Sequence, residues 1–504
     1  MKTKNIFKTV ALAMLMPAML LTTACSNDDD VVNNAANTEN TINKGYALPV
    51  TVNVTRQGDE ATTRAEFNKN GDNKLTFSDG DKLFVEGSHI EADRFAGVLT
   101  WQSGETFSGT IYTESPYGGT IDDLLNGKYA TLLPAGYESY DYLEIIDEGY
   151  EARLGENAYN SFATSKKLGV EQLSFEHGEY NSGTGFVLEP RNAILNFTIT
   201  GLTASTNVTA TLSDDDDWTP DIEGEVTTDG SGNATFAIGL EGSSDLNEFS
   251  LTVAGNPISL VSSSKVLTAG KIYNITRAIT DLSTINANYT ASNGVTLTGT
   301  LGANKQISIA DGATVILNGV SINADGTWSS GDYAGITCLG DATIILSGTN
   351  TVTGFDEEYP GIYVPGSKTV TIKGSGSLTA SSNGWGAGIG GGWEIDCGNI
   401  EIQGGTITAT GGTGCAGIGA GNGGYNVASC GTITISGGTI TATGGDAAAG
   451  IGSGTKSSCG NITITSGVTH VTATKGDGAN SIGAGANGSC GTVTIEDESK
   501  VTKN

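Results

Sequence analysis

Hydrophobic and polar residues alternate in short runs along nearly the whole chain after residue 45. A period of two, which is typical of half-buried β-strands, is present in phrases such as DKLFVEG (81–87) and NAILNFTITGL (192–202). Helical periodicity is nearly absent, and Gly, Asn and Asp separate the runs, as turn residues do. The pattern predicts an all-β protein.

An internal repeat begins near residue 285. A strand phrase in which Val or Ile alternates with Thr, Asn or Glu recurs in steps of 26 to 33 residues, starting at residues 314, 343, 369, 399, 432, 461 and 492. A TITAT-like phrase follows it after a glycine turn, and an AGIG-like phrase keeps the same pace. Each unit therefore holds three short strands.

One coil of three short strands cannot bury its apolar face alone. Stacking such coils about 4.8 Å apart gives every strand parallel neighbours and builds a continuous apolar column. We therefore predict a right-handed parallel β-helix of about seven coils over residues 281–504; an antiparallel sandwich, the main rival, would not require the three phrases to recur in order. The residues predicted to stack in one column are Val315, Ile344, Val370, Ile400, Ile433, Ile462 and Val493.

The preceding region, residues 45–280, has room for two small β-sandwiches. We expect the break between them to lie between the phrase at 132–137 and Asn192.

The composition of the whole chain argues against two kinds of binding partner, nucleic acid and metal ions held by histidine. The formal net charge of −30 argues against nucleic acid, because phosphate binding depends on clustered Lys and Arg. The three histidines are far apart in sequence, which argues against a histidine-based metal or catalytic cluster.

The first 24 residues have the features of a secretory signal: lysines at 2, 4 and 8, an apolar run over 10–21, and small residues before Cys25. This end resembles a bacterial lipobox, although Thr22 stands where Leu is usual. We expect Cys25 to be lipidated and residues 25–44 to form an acidic flexible tether. The SNDDD segment that follows Cys25 resembles the acidic tag of Bacteroidetes surface lipoproteins, which implies an outer-membrane location with the chain exposed.

Several phrases of the first region resemble the fimbrillin family of Bacteroidetes surface proteins. The resemblance implies two transthyretin-like β-sandwich subdomains and a role in adhesion or pilus-type assembly. In fimbrial members an arginine-directed cut opens a groove that a partner subunit's strand fills. Arg64 is the nearest candidate for such a cut, and an ordinary exposed arginine is the competing interpretation. The phrases that carry the resemblance lie at 75–85, 98–111, 129–137, 192–199 and 267–279.

Four cysteines, Cys397, Cys430, Cys459 and Cys490, each precede a glycine next to a strand of the repeat. In stacked coils they form a ladder whose neighbouring rungs are within disulfide range. Because reduced cysteine also stacks well as a small hydrophobe, we favour a buried thiol ladder. A row of sulfurs does not surround a metal tetrahedrally, which argues against zinc.

Parallel β-helices often cleave or bind polysaccharides, so catalysis must be considered. Lyases and hydrolases of this fold use clustered Asp with Lys, Arg or His, yet the chain has no arginine after Arg277 and His470 is alone. The carboxylates of Asp332, Asp356, Asp396 and Asp446 do not share one repeat position. We predict that the protein is not an enzyme. The GAGIGG phrase at 386–391 neither ends a βα unit nor opens a helix, which argues against a dinucleotide loop.

Aromatic residues recur beside the AGIG phrases, so stacking should collect several of them along one face. Aromatic faces bind the apolar faces of sugar rings, which predicts carbohydrate binding; the alternative is that the rings cap the core or pack under loops. The region also resembles Gly-rich β-helix carbohydrate-binding domains related to polysaccharide-lyase folds. The candidate residues are Trp328, Tyr333, Phe355, Tyr359, Tyr363, Trp385, Trp393 and Tyr425.

We expect no cofactor. Calcium is the one alternative, since such domains are associated with Ca²⁺ and the acidic run at 213–218 offers clustered oxygens. This run lacks the spacing and turn glycine of an EF-hand, so a solvated turn is favoured, and no ligand set is identified. The sequence as a whole predicts a lipid-anchored surface adhesin that binds glycan. The alternatives are a fimbrial stalk subunit with the β-helix as spacer, and a polysaccharide lyase.

Overall fold

The protein is described from a computed structural model. The residues that it describes are 46–56, 77, 79–86, 95–113, 117–133, 144–146, 151–153, 176–190, 192–214, 222–241, 243–260, 265–303, 305–323, 333–354 and 358–504.

The first folded region is a closed seven-stranded barrel with strand order β1-β4-β3-β2-β5-β8-β9. The barrel strands are β1 (Tyr46–Arg56), β2 (Lys82–Glu86), β3 (Phe95–Ser103), β4 (Thr106–Thr113), β5 (Tyr129–Leu133), β8 (Glu176–Asn181) and β9 (Gly185–Pro190). A short helix α1 (Ile121–Leu125) follows β4, and the chain between β5 and β8 includes the hairpin of β6 (Glu144–Ile146) and β7 (Glu151–Arg153).

The sheet closes because β1 pairs on both sides, antiparallel with β4 and parallel with β9. Alternate residues of the strands point into the barrel, and Leu83, Leu99, Phe107 and Phe186 are fully buried there. The region is therefore all-β, as the alternating pattern predicts, and its sheet curves into a barrel.

A two-sheet sandwich follows directly. In one sheet β10 is the central strand, with the order β13-β10-β16, and the other sheet has the order β12-β11-β14-β15. Both faces contribute to one core, in which the rings of Phe197 and Phe236 stack with centroids 5.1 Å apart. The strands are β10 (Asn192–Thr200), β11 (Asn207–Asp214), β12 (Ile222–Thr227), β13 (Ala234–Glu241), β14 (Phe249–Val253), β15 (Asn256–Ile258) and β16 (Ile272–Asp281), with a 3-10 turn at Leu246–Glu248.

The third region is a parallel β-helix with three principal columns of strands. The column of AGIG phrases contains β17 (Tyr289–Ala291), β19 (Ile307–Ile309), β21 (Ile336–Cys338), β24 (Ile362–Tyr363), β27 (Ile389–Gly390), β30 (Ile418–Gly419), β34 (Ile451–Gly452) and β38 (Ile482–Gly483). The second column contains β18 (Thr296–Thr300), β20 (Ala313–Ile322), β22 (Ala342–Ser347), β25 (Thr369–Gly374), β28 (Asn399–Ile402), β32 (Ile433–Ile435), β36 (Ile462–Ile464) and β40 (Val493–Ile495).

The third column has strands of its own only from two coils after the start of the second. Its strands are β23 (Thr349–Thr353), β26 (Ser377–Ser381), β29 (Thr406–Thr410), β33 (Thr439–Thr443), β37 (His470–Thr474) and β41 (Val501–Lys503). A short additional ladder joins β31 (Ser429–Cys430), β35 (Ser458–Cys459) and β39 (Ser489–Cys490), and a 3-10 turn lies at Glu498–Lys500. Within the described ranges, six coils have all three principal strands, and β20 serves as second and third strand of the coil before them.

The sandwich continues into the β-helix through shared hydrogen bonds. Strand β16 pairs with β10 along its first part and with β18 at its end. The guanidinium of Arg277 donates to the carbonyl oxygens of Ser259 and Leu260 at 2.5 and 2.9 Å, and its burial lowers the pKa of that group. Because β16 pairs with both β10 and β18, one hydrogen-bonded sheet runs from the sandwich into the coils.

The predicted apolar column exists, but its register changes once. Val315 lies opposite Ile344 as expected, whereas Val370 lies opposite Ala342 and Ile344 lies opposite Ile372. The predicted stacking of Ile344 on Val370 is therefore wrong by two residues. A shift of two keeps the same side chains pointing inward, so burial alone does not exclude it.

The cysteine ladder also differs in part from its prediction. Cys397 and Cys430 lie on neighbouring rungs and form a disulfide, with Cα atoms 4.4 Å apart. The prediction of reduced thiols is thus wrong for this pair, because direct stacking in register brings the two sulfurs into bonding range. Cys459 and Cys490 are free thiols on the next two rungs.

No helix among the described residues is both long and apolar enough to span a membrane.

Candidate functional site

Two of the predicted aromatic residues meet on the loops that flank strand β27. Trp385 lies in the segment that enters β27, and Trp393 lies in the segment that leaves it. Their ring centroids are 5.5 Å apart with an interplanar angle of 51°. Trp385 is 38% exposed and Trp393 is half-buried. These two residues, the tryptophan pair, present indole surface at the outside of the coil.

Strand β27 brings its flanking loops together because its second residue is glycine. Gly390 has φ +138°, and a Cβ on it would overlap the carbonyl oxygen of Gly419 in the next coil. Only glycine fits this conformation and this close approach. The chain therefore turns sharply after two strand residues, which places position 393 back beside position 385.

Hydrogen bonds to the preceding coil fix both loops. The hydroxyl of Ser382 donates to the Tyr359 carbonyl oxygen at 2.8 Å and accepts from the Gly386 amide at 3.1 Å. The Trp393 amide donates to the Glu358 carbonyl oxygen at 2.8 Å. The two loops are thus attached to adjacent residues of the coil before them, one to Tyr359 and the other to Glu358.

A tyrosine lies on the same column one coil earlier. Tyr363 is half-buried, faces outward opposite Gly390, and donates its hydroxyl to the Asp396 carbonyl oxygen at 3.4 Å. Burial, with smaller contributions from Tyr359 and Asp396, raises the pKa of Tyr363. Tyr363 therefore remains a neutral hydroxyl at physiological pH, and it extends the aromatic surface toward the loop that carries Trp393.

The next coil contributes a protruding loop. Tyr425 at its tip is 96% exposed, and its amide donates to Glu394 Oε1 at 2.5 Å. Asn426 Nδ2 donates to Glu394 Oε2 at 2.8 Å. Both hydrogen bonds lower the pKa of Glu394, and the bond from the Tyr425 amide has the larger effect. The loop lies against the pair because Gly424 has no side chain: a Cβ there would overlap Trp393 Nε1.

Tyr333 is not part of this arrangement. Tyr333 packs half-buried against the apolar core of the β-helix, in accord with the capping alternative. Trp328 and Phe355 lie outside the described residues, as do Cys25, Arg64 and most of the acidic run at 213–218. Ser382 and Glu394, which hold the loops, were not predicted because neither belongs to a repeating phrase.

Two of the polar residues considered for catalysis, Asp396 and His470, make separate hydrogen bonds. Asp396 Oδ1 accepts from the amide and hydroxyl of Ser429 at 2.7 and 2.8 Å. His470 lies on another column, with Nε2 3.1 Å from Thr502 Oγ1. In the part of the chain that the structure describes, no group of three or more His, Cys, Asp or Glu side chains is placed to hold a metal ion. The arrangement offers stacking surface and hydrogen bonds.

The fold thus defines a C-terminal β-helix joined to two smaller all-β domains. A family model described as a beta helix repeat matches residues 370–393, 400–422 and 433–455. The tryptophan pair falls in the first matched segment, and Tyr425 falls between the second and third. No curated protein matches the chain.

Among solved structures the chain is similar to Bacteroides proteins of fimbrial or adhesive description. A fimbrial protein from Bacteroides ovatus ATCC 8483 is 14% identical over 45% of this chain and 48% of its own, with a TM-score of 0.23. A putative cell adhesion protein from the same strain is 12% identical over 46% and 92%, with a TM-score of 0.24. Another, from Bacteroides fragilis NCTC 9343, is 13% identical over 45% and 93%, with a TM-score of 0.21. The chain spans about half the length of the first of these.

Proposed function

We propose that the protein is a cell-surface adhesin whose β-helix binds glycan through the tryptophan pair. The observation that carries this proposal is the pair itself: two indoles 5.5 Å apart on one coil, with Trp385 38% exposed. A partly exposed indole offers a sugar ring an apolar platform. Tyr363 on the preceding coil extends that platform.

The platform is ordered before any ligand arrives. Ser382 and Glu394 tie the loops that carry Trp385, Trp393 and Tyr425 to neighbouring coils. Because the backbone of these loops is already held in place, less ordering of the loops is needed on binding and more of the contact energy remains as affinity. Repeating sugars can also lie along successive coils, whose spacing of about 4.8 Å is close to the length of one sugar ring.

The location and assembly of the adhesin are further parts of the proposal. The signal-like residues 1–24 and the lipobox-like Cys25 support a lipid anchor in the outer membrane, and Cys25→Ser would then release the protein from membranes. The fimbrillin-like phrases support strand addition to fimbrial subunits after a cut at Arg64. An Arg64→Ala chain that is processed and assembled like wild type would refute that second part.

Affinity electrophoresis of the full chain tests the glycan site. Gels containing neutral polysaccharides or uronic-acid polysaccharides should retard the wild-type chain in at least one case. In that gel Trp385→Ala and Trp393→Ala should each weaken binding about tenfold or more, because each removes a stacking ring at the centre of the contact. Tyr129→Ala is the matched control, since Tyr129 is a 46% exposed aromatic residue of the barrel and should bind as wild type.

Three other results would contradict this function. Retardation that persists unchanged in both tryptophan variants would place the glycan elsewhere. A wild-type chain that no polysaccharide retards would favour the spacer role, which the unbroken hydrogen-bonded sheet from β16 to β41 would suit. Release of unsaturated oligosaccharides from the same polysaccharides would establish the lyase alternative.

A further inference from the structure

The four ladder cysteines occupy one position in four successive coils. Parallel pairing places Cys397 beside Cys430, Cys430 beside Cys459, and Cys459 beside Cys490. The remaining described cysteines, Cys338 and Cys415, lie elsewhere in the coils and are buried, and burial raises the pKa of each thiol to about 12. The ladder is therefore where the sulfur chemistry of the described chain is concentrated.

The pairing of the ladder is restricted by its geometry. The Cys397–Cys430 disulfide occupies the first two rungs. Cys459 then has one neighbouring rung with a free thiol, and its Sγ lies 3.0 Å from the Sγ of Cys490. The alternative bond between Cys430 and Cys459 would leave Cys397 and Cys490 three rungs apart, beyond disulfide range.

We propose that Cys459 and Cys490 form a second rung disulfide when the protein meets a small-molecule or protein disulfide as oxidant. This would pair the four cysteines as 397 with 430 and 459 with 490. The bond would covalently join the last coil, which includes β39 and β40, to the coil before it. A covalent bond should stabilise this coil in particular, because Val493 of β40 is 39% exposed while its counterpart Ile462 in the coil before is fully buried.

The chemistry follows from the unequal environments of the two thiols. Cys490 is partly exposed, and the hydrogen bond from the Cys459 thiol lowers its pKa, whereas the same bond and burial raise the pKa of Cys459. The Cys490 thiolate is thus the attacking sulfur. It displaces one thiolate from the oxidant, giving a mixed disulfide. The released thiolate takes the proton of Cys459, whose sulfur then attacks Cys490 and displaces the second thiolate. Two protein thiols are oxidised and one disulfide is reduced to two thiols.

Tryptic peptides identify the proposed pairing. Trypsin cleaves after Lys373, Lys456, Lys475 and Lys500, so Cys397, Cys415 and Cys430 share the peptide 374–456. Cys459 alone lies on 457–475, and Cys490 alone lies on 476–500. A disulfide between Cys459 and Cys490 therefore joins two peptides that no other ladder pairing joins.

The experiment treats the folded full chain with oxidised glutathione, alkylates free thiols under denaturing conditions, and maps the peptides by mass spectrometry without reduction. The expected result is 457–475 linked to 476–500, with 374–456 alkylated once, at Cys415, because Cys397 and Cys430 are joined in a disulfide. Separate, singly alkylated 457–475 and 476–500 peptides would overturn the proposal. So would a link between 374–456 and 457–475.

A second measurement tests the effect of the bond on the last coil. In the oxidised chain, Cys490→Ser should make the amides of residues 490–495 exchange with solvent about tenfold faster or more, since the last coil then opens locally. Ser489→Ala, at the exposed neighbouring position, is the matched control and should exchange as wild type. Equal protection in Cys490→Ser and wild type would show that no bond fastens this coil.

Discussion

Replacing Ile418 by alanine is expected to lower the free energy of unfolding of the β-helix by about 2 to 5 kcal/mol, the usual cost of removing a buried isoleucine side chain. Ile418 is fully buried and stacks between Ile389 and Ile451 of the neighbouring coils. The backbone of each coil is hydrogen-bonded above and below, so the coils cannot collapse into the resulting cavity. Denaturant unfolding of the full chain, monitored by hydrogen exchange within the coils, measures the loss.

Thr434→Ala is the matched control for Ile418→Ala. Thr434 is the outward-facing residue of β32, between Glu401 and Thr463, and its loss should change stability by no more than about 0.5 kcal/mol. If both variants unfolded alike, the apolar column would not be what holds the coils together.

Replacing Asn350 by alanine is expected to cost about 3 kcal/mol or more, because each buried backbone group left without a partner costs about 1 to 3 kcal/mol. Asn350 is fully buried at the start of β23. Its Oδ1 accepts from the Val320 amide at 2.9 Å, and its Nδ2 donates to the carbonyl oxygens of Ser347 and Ser377 at 2.9 and 3.0 Å. One side chain thus satisfies backbone groups of three coils at a corner.

Hydrogen exchange at the Val320 amide reports this change directly, because that amide loses its acceptor. Asn323→Ala is the control: Asn323 is exposed, and its side-chain amide donates to the nearby Ser321 hydroxyl at 2.9 Å. Its removal should leave stability within about 0.5 kcal/mol of wild type. Wild-type exchange at Val320 in Asn350→Ala would contradict the assigned role of this corner.

The repeat predicts the coils well because alternation of Val or Ile with Thr determines which side chains face inward. Ile433 and Ile435 are fully buried, as that rule requires. The same rule does not determine register in steps of two, which is why the pairing of Val370 with Ala342 was not predicted. The disulfide was not predicted either, since two stacked cysteines look alike in sequence whether reduced or bonded.

The candidate site, like the coils, could be predicted from the sequence only in part. Trp385 and Trp393 bracket an AGIG phrase, so their meeting on one face follows from the turn that the phrase makes. The role of Glu394 does not follow from the phrase, because its carboxylate accepts a hydrogen bond from the amide of Tyr425, which lies 31 residues later in a loop of the next coil. Contacts between coils that are made by residues outside the repeating phrases cannot be predicted from the repeat pattern.

The most direct test of the glycan site is footprinting of the full chain with hydroxyl radicals, read residue by residue by mass spectrometry. The ligand is the polysaccharide that retards the chain in affinity electrophoresis. The site predicts that saturating polysaccharide slows oxidation of Trp385 and Trp393 while Tyr129 in the barrel reacts at its unliganded rate. Oxidation of both tryptophans at the same rate with and without polysaccharide would contradict the proposal that this pair is where the protein binds glycan.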